Sequence, residues 1–155
     1  MNARRRQACF VLVGVASALL LLPVCLAAQT PVAFQVRVIQ ASKQPGGVDA
    51  RLSGLAKELQ ELQKAFGYTA FHLLDAPRGV APLNQQWKAA IPGNRSLEIV
   101  PTASQGGQHT LQVRFLGANG QVMVNSQVRL KSGATVFVGK VPHQEADIYI
   151  AISAD

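Results

Sequence analysis

One segment of this chain repeats its apolar residues with the period of a helix, and most of the chain beyond it alternates with the period of a strand. Val48, Leu52, Leu55, Ala56, Leu59, Leu62 and Phe66 recur at spacings of three and four, which draws one apolar stripe along a helix of about 49–66. Asp49 is placed to cap its first turn, and Gly67 to end it in the left-handed conformation of a C′ residue. Gly54 costs helix stability and is expected to be there for close packing on a sheet. A lone helix among many strands leads to an α+β fold. The amphipathic helix packs on a mostly antiparallel, twisted sheet, whose far face meets a second sheet or stays polar.

The strands carry the shorter period. Phe34, Val36 and Val38 alternate with Gln35 and Arg37 within 30–41, and 68–74 is a second strand. With the helix between them they make an N-terminal βαβ-like unit, a right-handed crossover where such strands are parallel. Asp75 to Pro82 reads as a loop. Strands over 83–91 and 96–100 flank the turn Pro92-Gly93-Asn94-Arg95, and 102–108 is a polar, glycine-rich connector. Leu111, Val113 and Phe115 mark the next strand, Asn119-Gly120 a tight turn, and 121–131 a strand with Val128 and Leu130 inward. Strands at 135–138 and around Ile148, Ile150 and Ile152 close the chain, with 139–146 a loop between them. About eight strands are expected.

The N-terminus has a different grammar. Arg4, Arg5 and Arg6 precede an uncharged run from Ala8 to Leu22, then Pro23 and the small residues Ala27 and Ala28. That order is the pattern of a secretory signal peptide over 1–28, leaving a single domain over 29–155. At about 1.5 Å per residue the apolar run is shorter than a ~30 Å hydrocarbon core, which argues against a permanent anchor. The paired arginines stand without other support for twin-arginine export. A lipoprotein acylated at Cys25 needs a small residue before the cysteine, where Val24 stands. Cleavage removes Cys9 and Cys25, the two cysteines, so the exported domain is expected to be cysteine-free and to hold together by packing alone. It lowers the net charge as well. The full chain is +7, and without the three arginines 12 basic residues face 8 acidic ones, giving +4. A surplus of that size suits an acidic partner or an anionic envelope surface and is too small and scattered to argue nucleic-acid binding.

Chemistry-bearing patterns are sparse. His72, His109 and His143 lie in separate segments with no metal-ligand spacing, so no metal or cofactor is expected. His72 is expected in a strand, partly buried and hydrogen-bonded, and His109 and His143 beside turns and solvated. No serine sits in a nucleophile-elbow context, and the glycine pairs lack a phosphate-cradling lysine. A small hydrolase or carbohydrate-active enzyme could be assembled only if His72, Asp75 and Asp147 converged. A ligand carrier would need a cavity between helix and sheet.

Three features suit binding. Trp87, flanked by Gln85, Gln86 and Lys88, could stack on a sugar or anchor a partner, or fill the core. Gln127, Arg129 and Lys131 point outward and could join Gln112 and Arg114 in one polar, basic sheet face. Edge strands offer amides to which a partner could add a strand. Lastly, the segment from Val128 to Gly139, followed by Asp147 to Ile152, resembles the late hairpin of bacterial secretins in its order of polar residues, glycine and apolar β run. The resemblance implies a strand pair and transfers no function. The expectation is therefore an exported, secreted or periplasmic module without catalytic residues that touches another envelope protein.

Overall fold

A computed structural model describes residues 30–155; the signal-peptide reading of 1–28, with both cysteines, lies outside the described residues. The elements are β1 (Val32–Ser42), a 3-10 segment (Ala50–Leu55) running into α1 (Ala56–Phe66), β2 (Ala70–Asp75), β3 (Arg78–Ala81), β4 (Trp87–Ile91), β5 (Arg95–Gln105), β6 (Gln108–Leu116), β7 (Val122–Lys131), β8 (Thr135–His143) and β9 (Ala146–Ala154). They form two antiparallel sheets. Sheet A has the order β2-β1-β9-β8, with β3 also on β1, and sheet B the order β4-β5-β6-β7.

The period-two alternation does what it must in a strand with two buried faces. On β1, Val32, Phe34, Val36 and Val38 enter one buried cluster, whereas Ile39 and Ala41 enter another on the opposite side. The first cluster is shared by both sheets: Ile148, Ile150 and Ile152 of β9 meet Leu97, Ile99, Leu111, Val113 and Phe115 of sheet B. The second lies under the helix, where Leu52, Leu55 and Leu59 pack on Ile39, Phe71, Tyr149 and Ala151. Three such leucines, each contributing roughly 1.5–3 kcal/mol by burial, suffice to hold the helix on the sheet. β9 lies between β1 and β8, and it is buried without interruption from Ile148 to Ile152.

The helix differs from its sequence reading at both ends of the stripe. Val48 and Phe66 are exposed, Leu62 is half-buried and Ala56 faces solvent, so three leucines carry the contact. Its first six residues are 3-10, with Asp49 accepting from Arg51 N–H, and Gly67 closes it at φ 71° with its N–H on Gln63 O. A side chain at Gly54 would meet open space, so close packing does not explain that glycine. Strand, helix and strand follow in the expected order, but β1 and β2 pair antiparallel, so they do not form a parallel crossover.

Among the described residues nine strands stand where about eight were expected. The segment read as a loop at 75–82 contains β3, which pairs with the first half of β1 while β2 pairs with the second. A register shift at Val38/Ile39 and the bond from Val36 N–H to Pro77 O let the chain continue along the same edge. Pro77, Gly79 and Pro82 hid the strand signal. β5 likewise continues to Gln105, with Gly106 and Gly107 turning at positive φ, and β8 continues to His143 through Gly139 at φ 79°. In the secretin-like segment the hairpin is β8 with β9, antiparallel and closed by Gln144 and Glu145, whereas Ser132 and Gly133 carry the chain from β7 in sheet B to β8 in sheet A.

Candidate functional site

Alternation in sheet B fixes which side chains leave the core. With Leu97, Ile99, Leu111, Val113 and Phe115 turned inward, the intervening residues of β5 and β6 must point to the other face. Register then aligns them. Lys88 stands opposite Glu98, Glu98 opposite Arg114, and Arg114 opposite Asn125, one row across four strands. Gln112 pairs with Gln127, Thr110 with Arg129 and Gln108 with Lys131. Five of the six residues singled out from the sequence (Gln112, Arg114, Gln127, Arg129 and Lys131) thus share one face.

Glu98 organises this face. It is 7% exposed, and its carboxylate oxygens lie 3.4 Å from Lys88 Nζ and 3.2 Å from Arg114 Nη1. A single acid, mostly covered, therefore holds two cations that stay half-exposed. Gln112 Nε2 donates to Asn125 Oδ1 at 3.3 Å, while Gln127, Arg129 and Lys131 are exposed.

The charge surplus is not scattered. Sheet B carries Lys88, Arg95, Arg114, Arg129 and Lys131 against Glu98 alone, a surplus of four. The rest of the described chain holds seven basic and seven acidic residues, so the whole excess of 12 over 8 belongs to sheet B. Arg95 is the exception to the face: its guanidinium lies over the Phe115 ring and donates to Pro142 O.

Trp87 does not join the polar row. It pairs with inward-facing Ile99, is half-buried, and meets the Phe34 ring edge-on at 5.1 Å and 82°. Gly79 lies beneath both rings, where a Cβ would come within 2.6 Å of each. An open groove of about 550 Å³, lined by Gln35, Arg78, Val80, Trp87 and Asp155, runs past it.

The three residues of the hydrolase reading are separated. His72 and Asp147 pair with the successive residues Gln40 and Ala41 of β1, so they point to opposite faces of sheet A. Asp75 accepts from the Ala76 N–H at 2.8 Å, and His72 is exposed. The space between helix and sheet that a carrier would need is filled by Leu52, Leu55 and Leu59.

Three polar arrangements escaped the sequence. His109, expected to be solvated, is 5% exposed, with Ser104 Oγ 3.0 Å from Nδ1 and Ser132 Oγ 2.9 Å from Nε2. Tyr68 donates to Asp147 Oδ2 and lies 3.1 Å from the Tyr149 hydroxyl. Burial, and then these bonds, raise the Tyr68 phenol above its ordinary range. Lys140 stands 3.8 Å from the same carboxylate and over the exposed Phe66 ring. The third covers an edge of sheet A. Phe71 N–H donates to Gly47 O, Asp49 N–H to Phe71 O, Leu73 N–H to Asp49 Oδ2 and Arg51 Nη2 to Leu73 O. Side-chain and backbone bonds from Arg51 hold the Asp49 carboxyl well below the usual range.

Among the described residues no three His, Cys, Asp or Glu side chains gather as a metal site, and no helix is long and apolar enough to cross a membrane. No protein-family model matches the chain, and no curated protein or solved structure matches it.

Proposed function

We propose that this chain is an exported, non-enzymatic binding or structural module of the bacterial envelope, acting through the outer face of sheet B on another envelope protein. On this reading residues 1–28 direct export and are removed, and the remaining domain is secreted or periplasmic without a permanent membrane span. The two sheets form a sandwich whose sheet A side is covered by the helix and whose sheet B side is presented to the partner. One observation carries the proposal: the entire charge surplus of the described chain sits on sheet B, with all but Arg95 on one polar face. Self-repulsion among like charges costs stability, so their concentration on an otherwise open face argues for an acidic partner. A single-stranded nucleic acid fits less well, because such sites stack bases on aromatic rings, and the outward residues of sheet B include none.

Cross-linked pull-down of the purified protein from its native envelope tests the reading. A triple variant, Arg114→Glu with Arg129→Glu and Lys131→Glu, is expected to lose the retained partner. An equal charge reversal on sheet A and the helix, Arg37→Glu with Lys57→Glu and Lys64→Glu, is expected to keep it. Equal loss in both variants, or no retained protein together with turnover of a model glycan or ester, refutes the module.

A further inference from the structure

We propose that the partner adds a strand to β7, and that the added segment is an extended peptide carrying a carboxylate at every second position with apolar residues between. The inference rests on the reading of sheet B as the binding face and adds how the partner is held.

β7 is the longest strand at a sheet edge among the described residues. The outer edge of β2 is occupied by Gly47, Asp49 and Arg51, whose bonds to Phe71 and Leu73 replace those of a neighbouring strand. β8 is interrupted by left-handed Gly139 and by Pro142, which has no N–H to offer; bulges and prolines of this kind blunt an edge. β3 has four residues and β4 five. β7 has ten, contains neither glycine nor proline, and keeps continuous register with β6 from Val124 to Lys131. Among the described residues the bond made to the edge of β7 that faces away from β6 lies at its last residue, where Lys131 O accepts from Ala134 N–H; the edge from Val124 to Leu130 carries none.

The side chains of β7 say what would fit. Arg129 and Lys131 project on the basic face, and a strand laid alongside would bring alternate residues directly beside them. Carboxylates at those positions find cations that Glu98 does not hold. On the other side Val124 and Val128 are only half-buried at the flank of the core, so apolar residues between the carboxylates would complete it. The same cations reject a second copy of this chain, which would bring another basic face against this one. An edge can thus be closed to self-association and open to an acidic strand.

The probe is a blocked nine-residue peptide alternating glutamate and valine, with two N-methylated isomers, one methylated on every glutamate and the other on every valine. Successive amides of a strand point to opposite edges, so each isomer blocks one edge and leaves the charges intact. Binding of the parent peptide, with one isomer weakened more than tenfold and the other close to the parent, supports strand addition. Slowed amide exchange confined to β7 supports it too. Arg129→Glu with Lys131→Glu is expected to weaken the parent about tenfold, as two cross-strand charge pairs allow. If both isomers bind like the parent, β7 pairing is refuted and docking on the face survives. Binding of anionic vesicles or a sulfated polysaccharide in place of the peptide refutes it likewise. Dimerisation through β7 refutes it as well.

Discussion

Glu98 on β5 and Arg114 on β6 stand directly opposite each other, carboxylate to guanidinium at 3.2 Å, with Lys88 on the other side of the same acid. The acid is covered and its cations are not, so the pair lies between an exposed bridge worth up to about 1 kcal/mol and a buried one whose breakage costs roughly 3–5 kcal/mol. Glu98→Gln keeps shape and hydrogen bonding but removes the charge. It is expected to lower stability by about 1 kcal/mol while tightening binding of an acidic ligand, because Lys88 and Arg114 are released. Urea unfolding and titration with the glutamate–valine peptide check the two signs separately. A fall in both excludes a binding role for the face.

Gly79 gives a prediction with an optical readout. A Cβ there would stand 2.5 Å from Phe34 Cε2 and 2.6 Å from Trp87 Cε2, so one ring must move. Overpacking of this kind costs roughly 1–3 kcal/mol. Gly79→Ala is expected to destabilise by that amount and to shift the emission of Trp87, the one tryptophan of the chain. Unchanged emission with unchanged stability would contradict the packing of Phe34 on Trp87.

What could be read in the sequence and what could not divide along one physical line. The helix leucines 52, 55 and 59, the Gly67 stop and the inward residues of β1, β6 and β9 express periods internal to one element, and each is visible without knowing its neighbours. Glu98 looks like an ordinary strand charge until register sets it between Lys88 and Arg114. His109 looks solvated beside Gly106-Gly107 until β5 and the β7–β8 turn bring Ser104 and Ser132 to it. β3 escaped because its pairing is decided by the bulge at Val38/Ile39, while its own composition reads as a turn. The five polar face residues were legible by alternation alone, whereas Trp87 was placed by its partner Phe34, a contact between sheets.

Both ring nitrogens of His109 are bonded, Nδ1 to the Ser104 hydroxyl and Nε2 to that of Ser132, and a hydroxyl can donate or accept. Removing either serine leaves a buried nitrogen without its partner, at a cost of about 1–2 kcal/mol. Ser132→Ala is expected to lower stability by that amount. The double variant with Ser104→Ala is expected to show a coupling energy in a mutant cycle, since both act on one ring. Simple additivity in urea midpoints would mean that the ring does not link β5 to the β7–β8 turn.

Tyr68 makes stability depend on alkaline pH. Its phenol is 4% exposed and donates to Asp147, and burial followed by that bond places its folded-state pKa above the unfolded value near 10. A raised pKa means that the contribution is complete below about pH 10 and is lost as pH climbs toward the folded value, because the unfolded chain releases the proton first. Above about pH 10 this side chain should lower unfolding free energy by up to about 1.4 kcal/mol per pH unit. Tyr68→Phe removes that slope. It also strips Asp147 of a donor, so at neutral pH the variant is expected to be less stable by roughly 1–2 kcal/mol. Urea midpoints from about pH 8 to about pH 11 should therefore fall more steeply for the native chain and converge with those of the variant. Parallel curves would show that the phenol titrates alike in folded and unfolded chains.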